Sequence, residues 1–113
     1  MAGLIRVEEK ISWSAASWAF GHVIRVTLPF LSHENEGLIS ILKEASLEGR
    51  LDYLDLRPIS VKEKSALLAA FKNGLQRTET DGAAAFSDPE FYPGFLARFN
   101  ELIVMLESHL SRV

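Results

Sequence analysis

Cysteine is absent from the 113-residue chain, which excludes a disulfide framework, a thiolate zinc site and a cysteine nucleophile. Long apolar runs are absent too. The most apolar stretch, Ala15 to Leu31, contains His22, Arg25 and Pro29, whereas a membrane span needs about 20 apolar residues and tolerates a central arginine poorly. Arg6, Glu8, Glu9 and Lys10 interrupt the start of the sequence, so no secretory leader is expected. A cytoplasmic location is the default expectation, although a cysteine-free chain suits the periplasm too. Positive charge is not in excess: the net charge of −3 argues against nucleic-acid binding driven by bulk charge.

The motifs of catalysis are missing as well. The sequence has no Gly-x-Ser-x-Gly elbow, no Gly-x-x-x-x-Gly-Lys loop and no Gly-x-Gly-x-x-Gly run, which removes the usual signatures of acyl transfer and nucleotide binding. His22, His33 and His109 form no His-x-x-x-His pair. His33 with Glu34 reads as exposed capping at a helix start. His109 reads as a cation favoured by a helix C-terminus, and His22, among apolar residues, as at least half-buried. Asp52 and Asp55 would need an enclosing cleft to act as a carboxylate pair, which so short a chain rarely builds alone. The chain is therefore read as a non-enzyme, without metal or cofactor.

What is present is a core. Apolar residues make up 48% and charged residues 24%, so a folded chain is expected, as one domain over residues 1–113. Ile5, Val7, Ile11 and Trp13 alternate with Arg6, Lys10 and Ser12, a strand signal broken only at Glu8 and Glu9. Trp13, Ala16, Phe20, Val23, Thr27 and Phe30 then recur at helical spacing, with Ser12 or Ser14 as cap and Pro29 as terminator. Gly21 and the β-branched run at Val23, Ile24, Val26 and Thr27 pull the other way. Leu38, Ile41, Leu42 and Ala45 predict a second helix, extended by Leu47, favoured at its start by Glu34 and Glu36, and closed by Gly49. The connector from Leu51 to Pro58 reads as extended and paired with the strand over 4–11.

Ser60 and Glu63 form a capping-box signature ahead of Leu67 or Leu68, Phe71 and Leu75. Residues 78–87 read as turn. Asp88-Pro89 reads as cap plus first helical residue, with Pro93-Gly94 as an interruption. Phe95, Phe99, Leu102, Ile103, Leu106 and Leu110 predict a long final helix. The expected architecture is mainly α, a small four-helix domain with room for a two-stranded edge ladder. The alternative is α+β, with residues 22–28 as strand.

Charge is blocked along the chain. Residues 32–55 carry six acids against two bases, residues 56–77 five bases against one acid, and residues 78–94 four acids and no base. The stretch 79–92 sets Glu79, Asp81, Asp88 and Glu90 among Phe86, Phe91 and Tyr92, rings and acids together, as at binding surfaces for basic protein partners. Asp52, Tyr53 and Asp55 repeat the combination on a smaller scale. The competing reading is that the rings staple the segment to the core while the acids stay solvated. Arg57, Lys62, Lys64, Lys72 and Arg77 bracket one helix, but lysines around an amphipathic helix usually mark a solvated face, so no nucleic-acid partner is expected.

Three segments together resemble the immunity proteins that bacteria encode beside polymorphic or contact-dependent toxins: Trp13-Ser14-Ala15-Ala16-Ser17-Trp18, Tyr53-Leu54-Asp55-Leu56-Arg57, and Glu90-Phe91-Tyr92 leading into the last helix. That resemblance implies a cytoplasmic protein that binds one toxin domain and occludes its active site or a needed surface, without catalysis. The partner-binding candidates are Glu79, Asp81, Asp88, Glu90, Phe91 and Tyr92, with Asp52, Tyr53 and Asp55. The alternatives are a non-enzymatic adaptor or chaperone module, or a homodimeric helical bundle; oligomeric state is left open.

Overall fold

The computed structural model describes residues 2–46 and 52–113. The expected roles of Leu47, Gly49 and Leu51 lie outside those residues. The described chain is mainly helical, with four helices and a three-stranded mixed sheet.

Strand β1 (Ala2–Glu8) turns at Glu9 and Lys10 into β2 (Ile11–Ala16), its antiparallel partner, with Ile5 opposite Trp13. Strand β3 (Tyr53–Asp55) lies parallel to β1 on the other side, giving the order β2-β1-β3. The expected pairing of the connector with the first strand is therefore present, within a three-stranded sheet. Gly3, Ile5, Val7 and Trp13 are buried on one face, whereas Leu4, Arg6, Ser12 and Ser14 are half-buried or exposed, the alternation a half-covered sheet requires.

Of the two patterns that include Trp13, the structure takes the strand, and Ala16, expected on the helical stripe, is a strand residue too. Strand β2 runs through Ala16, and α1 (Ser17–Thr27) follows with no side-chain cap from Ser12 or Ser14. Trp13 satisfies two periods at once; cross-strand burial against Ile5 decides for the strand. Helix α1 buries Ala19, Phe20, Val23, Ile24 and Thr27, so residues 22–27 are helical despite their β-branched content: the buried stripe outweighs propensity. Pro29 sits in a 3₁₀ turn, Leu28–Phe30, and Phe30 is exposed rather than part of the stripe.

Helix α2 (Glu36–Ser46) buries Leu38, Leu42 and Ala45 but leaves Ile41 exposed. Helix α3 (Val61–Asp81) begins at the expected capping box: Glu63 N donates to Ser60 Oγ at 3.1 Å, and Ser60 N donates to Glu63 Oε1 at 3.3 Å. It does not stop at residue 78. Thr78 is buried and donates to the Gly74 carbonyl, and Arg77 pairs with Asp81 one turn on. Gly82, at φ 75°, ends the helix. Lys64, expected on a solvated face, is only 6% exposed. Helix α4 (Tyr92–Arg112) buries Phe95, Phe99, Leu102, Ile103 and Leu106. Pro93 lies in its first turn and interrupts nothing, because the amide it lacks would have had no partner there.

Helices and sheet meet around Trp13, Phe20, Phe71 and Phe99. Gly3 permits the closest approach: a Cβ there would fall 2.4 Å from Phe20 carbons. Replacing Gly3 by alanine should therefore cost about 1–3 kcal/mol, the usual range for overpacking, measured by urea denaturation. Gly37→Ala, whose new methyl meets nothing within 4 Å, should stay within about 0.5 kcal/mol.

Candidate protein-binding surface

Trp18 is the second residue of α1 and lies off its buried stripe. It is 45% exposed, and its ring stacks on Phe91, itself 53% exposed, at 5.5 Å and 27°. Two large rings held against each other in solvent form a ridge. Phe86 behaves differently: half-buried, it packs edge-on against Trp18, Tyr92 and Phe95 and lies 5.0 Å from the His22 ring. Phe86 thus staples the 79–92 segment to α1 and α4, as the competing sequence reading proposed, while Phe91 points outward.

Two grooves flank the ridge. One, of about 310 Å³, runs between Phe86, Asp88 and Phe91 on one wall and Trp18, His22 and Arg25 on the other. The second, of about 280 Å³, is floored by Ala15, Ala16, Ala19, Gly94 and Phe95, with Glu90 at its edge. Trp18 and Phe91 line both.

The acids of this segment are not equivalent. Asp81 is paired with Arg77, and Asp88 accepts a hydrogen bond from Glu90 N at 3.0 Å, capping a 3₁₀ turn over Pro89–Phe91. The exposed carboxylates of Glu79 and Glu90 make no ion pair among the described residues. The Tyr92 hydroxyl donates to the Glu79 backbone carbonyl at 3.5 Å. Arg25 lines the first groove with Asp88, and Arg98 lines the second with Glu90. Burial against Phe86 and Phe95 pushes the His22 imidazolium down from its ordinary pKa, Arg25 adds to the shift, and Asp81 opposes it.

The other three candidates lie apart from these grooves. Asp52, at φ 51°, accepts at 2.9 Å from the hydroxyl of Ser17, the first residue of α1. It sets a negative charge at a helix start that has no acid of its own. Asp55 is gripped by Arg57, whose guanidinium also reaches Glu9, and its carboxyl is held down at about 2. Tyr53 is 38% exposed on β3. Sequence reasoning omitted Trp18, His22 and Arg25 from the site; the available signal was a large aromatic standing off the apolar stripe of its own helix.

A second polar cluster joins β1, α3 and α4. Lys64 Nζ lies 2.9 Å from His109 Nε2, whose Nδ1 lies 2.9 Å from Glu8, and Arg112 also pairs with Glu8. His109, in the last turn of α4 as expected, is buried between Lys64 and Glu8. His109 and Arg112 hold the Glu8 carboxyl below the usual range. Among the described residues no group of three His, Asp or Glu side chains converges as a metal site, and no helix is long and apolar enough to cross a membrane.

No protein-family model and no curated protein matches the sequence. Among solved structures, the fold is similar to that of a chain in the complex of the CdiA-CT toxin from Burkholderia pseudomallei E479 with its cognate CdiI immunity protein. The TM-score is 0.73 at 13% identity, over 96% of this chain and 98% of that one. The likeness establishes a shared fold over nearly the whole of both chains.

The His22 environment is directly testable. Its ring should titrate below about 6.5, followed by NMR. Phe86→Ala should raise the value by relieving burial, and Arg25→Gln should raise it less. Because the folded pKa is depressed, the neutral ring stabilises the fold fully above the unfolded pKa, and that contribution is lost as pH falls below it.

Proposed function

We propose that this chain is an immunity-type protein that binds a toxin domain in the cytoplasm and blocks it by steric cover, with no chemical step. The observation that carries the reading is the exposed Trp18–Phe91 stack. Exposed aromatic anchors bounded by grooves are the usual centre of a protein interface, because one rigid ring desolvates much area at low entropic cost. The fold is shared with a chain of a toxin–immunity complex, and the sequence resembles immunity proteins at the segments that supply both rings.

On this reading Trp18 and Phe91 are the anchors, Glu79, Asp88 and Glu90 attract a basic toxin surface, and Phe86 and Tyr92 hold the segment in shape. Asp81 joins that rim through its pairing with Arg77. Asp52 and Asp55 serve the fold, because both carboxylates have intramolecular partners, and Tyr53 lies outside the interface.

The test is co-expression with the C-terminal domain of any large toxin-type reading frame found next to the gene for this chain. The chain should restore growth of toxin-expressing cells. The Trp18→Ala, Phe91→Ala double variant should fold normally by circular dichroism yet bind at least about thirtyfold more weakly, a loss of about 2 kcal/mol. Association should slow with added salt. Full protection by the double variant would sink the assignment of this face. A stable homodimer closing over Trp18, seen by sedimentation, would favour the helical-adaptor alternative.

A further inference from the structure

The groove between α1 and α4 has a composition that selects its occupant. Ala15, Ala16, Ala19 and Gly94 leave a smooth floor with no hydrogen-bonding side chain, so the middle of the groove suits methylene groups. Phe91 and Trp18 offer ring surface along one side, and Glu90 stands at the edge with a carboxylate that has no partner among the described residues. Arg98 also borders the groove, but its guanidinium is committed to the Ser14 carbonyl and the Glu101 carboxylate. It forms no ion pair with Glu90 among the described residues.

From this arrangement we propose that the groove accepts one arginine side chain from a basic protein partner. The stem would lie on the alanine and glycine floor, the guanidinium would stack against the exposed rings, and its N–H groups would donate to Glu90. Arginine fits better than lysine because its planar, weakly hydrated head both stacks on aromatic faces and matches a carboxylate with a fork of donors. A leucine or phenylalanine would fill the floor but leave Glu90 unused. The inference deepens the toxin-binding reading, and rests on it for biological use, but its test needs no toxin.

The two tryptophans supply the readout. Trp18 lines the groove, whereas Trp13 is buried with its indole N–H donated to the Arg98 carbonyl. N-acetyl-arginine N-methylamide, titrated into the labelled full chain, should move the Trp18 indole N–H resonance saturably and leave that of Trp13 in place. The lysine analogue should bind more weakly, and the uncharged citrulline analogue should produce no saturable shift. Glu90→Gln should weaken arginine binding about fivefold, with the unchanged Trp13 resonance confirming the fold. Equal response to citrulline or leucine analogues, indifference to Glu90→Gln, or no response to arginine each overturns the proposal. Arginine binding alongside undiminished protection by the Trp18→Ala, Phe91→Ala variant would uphold the groove's chemistry and remove the face from toxin binding. Lost protection without an arginine response would do the reverse.

Discussion

The indole of Trp13 fixes α4 to the sheet. Its ring is completely buried, and its N–H donates to the Arg98 backbone carbonyl at 2.7 Å. Arg98 returns the contact: its guanidinium lies 5.7 Å from the Trp13 ring centre and bonds the Ser14 carbonyl. Leu4 N donates to Asp52 and Arg6 O accepts from Leu56, so alternate residues of β1 bond to β3 and the others to β2. Ser14 is then left facing the open edge of the sheet, where an uncovered row of amides and carbonyls invites pairing with another chain. Arg98 covers part of that edge. The position of α4 in turn brings Phe91 and Phe95 to Trp18, so the ridge and both grooves depend on Trp13, which lines neither groove.

A second tie works through charge. Lys64 on α3, His109 on α4 and Glu8 on β1 form a continuous chain of contacts, closed at the surface by Arg112. Both ring nitrogens of His109 are engaged, Nε2 against Lys64 Nζ and Nδ1 against Glu8. Such a network contributes little net stability over an apolar equivalent, but losing one member strands a desolvated group. It joins one strand and two long helices through side chains from three separate parts of the chain.

The candidate surface combines two roles that composition cannot separate. Within the 79–92 segment, Phe86 turns inward and Phe91 outward, although both are phenylalanines among acids. The acids divide likewise: Asp81 is paired, Asp88 caps a turn, and Glu79 and Glu90 face solvent. In the β3 region the carboxylates of Asp52 and Asp55 support a helix start and an arginine. The residue types in the sequence therefore did not tell which rings of this segment pack against α1 and α4 and which stand exposed.

Local chemistry decided much of this protein. The capping box at Ser60, the buried stripe of α4 and the stop at Pro29 were legible, because each rests on neighbours in the chain or on a long periodic pattern. The pairing of β3 with β1, by contrast, joins residues 49 apart and was suggested only by the apolar, extended character of the connector. Tertiary packing decided the rest. Trp13 fits two periods, and only burial opposite Ile5 selected the strand; α3 ran on to Asp81 because Thr78 landed on its buried face. Lys64 reads as solvated in the sequence, and only the fold buries it against His109 and brings distant Glu8 to that histidine. Trp18 became half of a ridge only when α4 carried Phe91 to it, since a contact between residues so far apart in sequence leaves no periodicity to read.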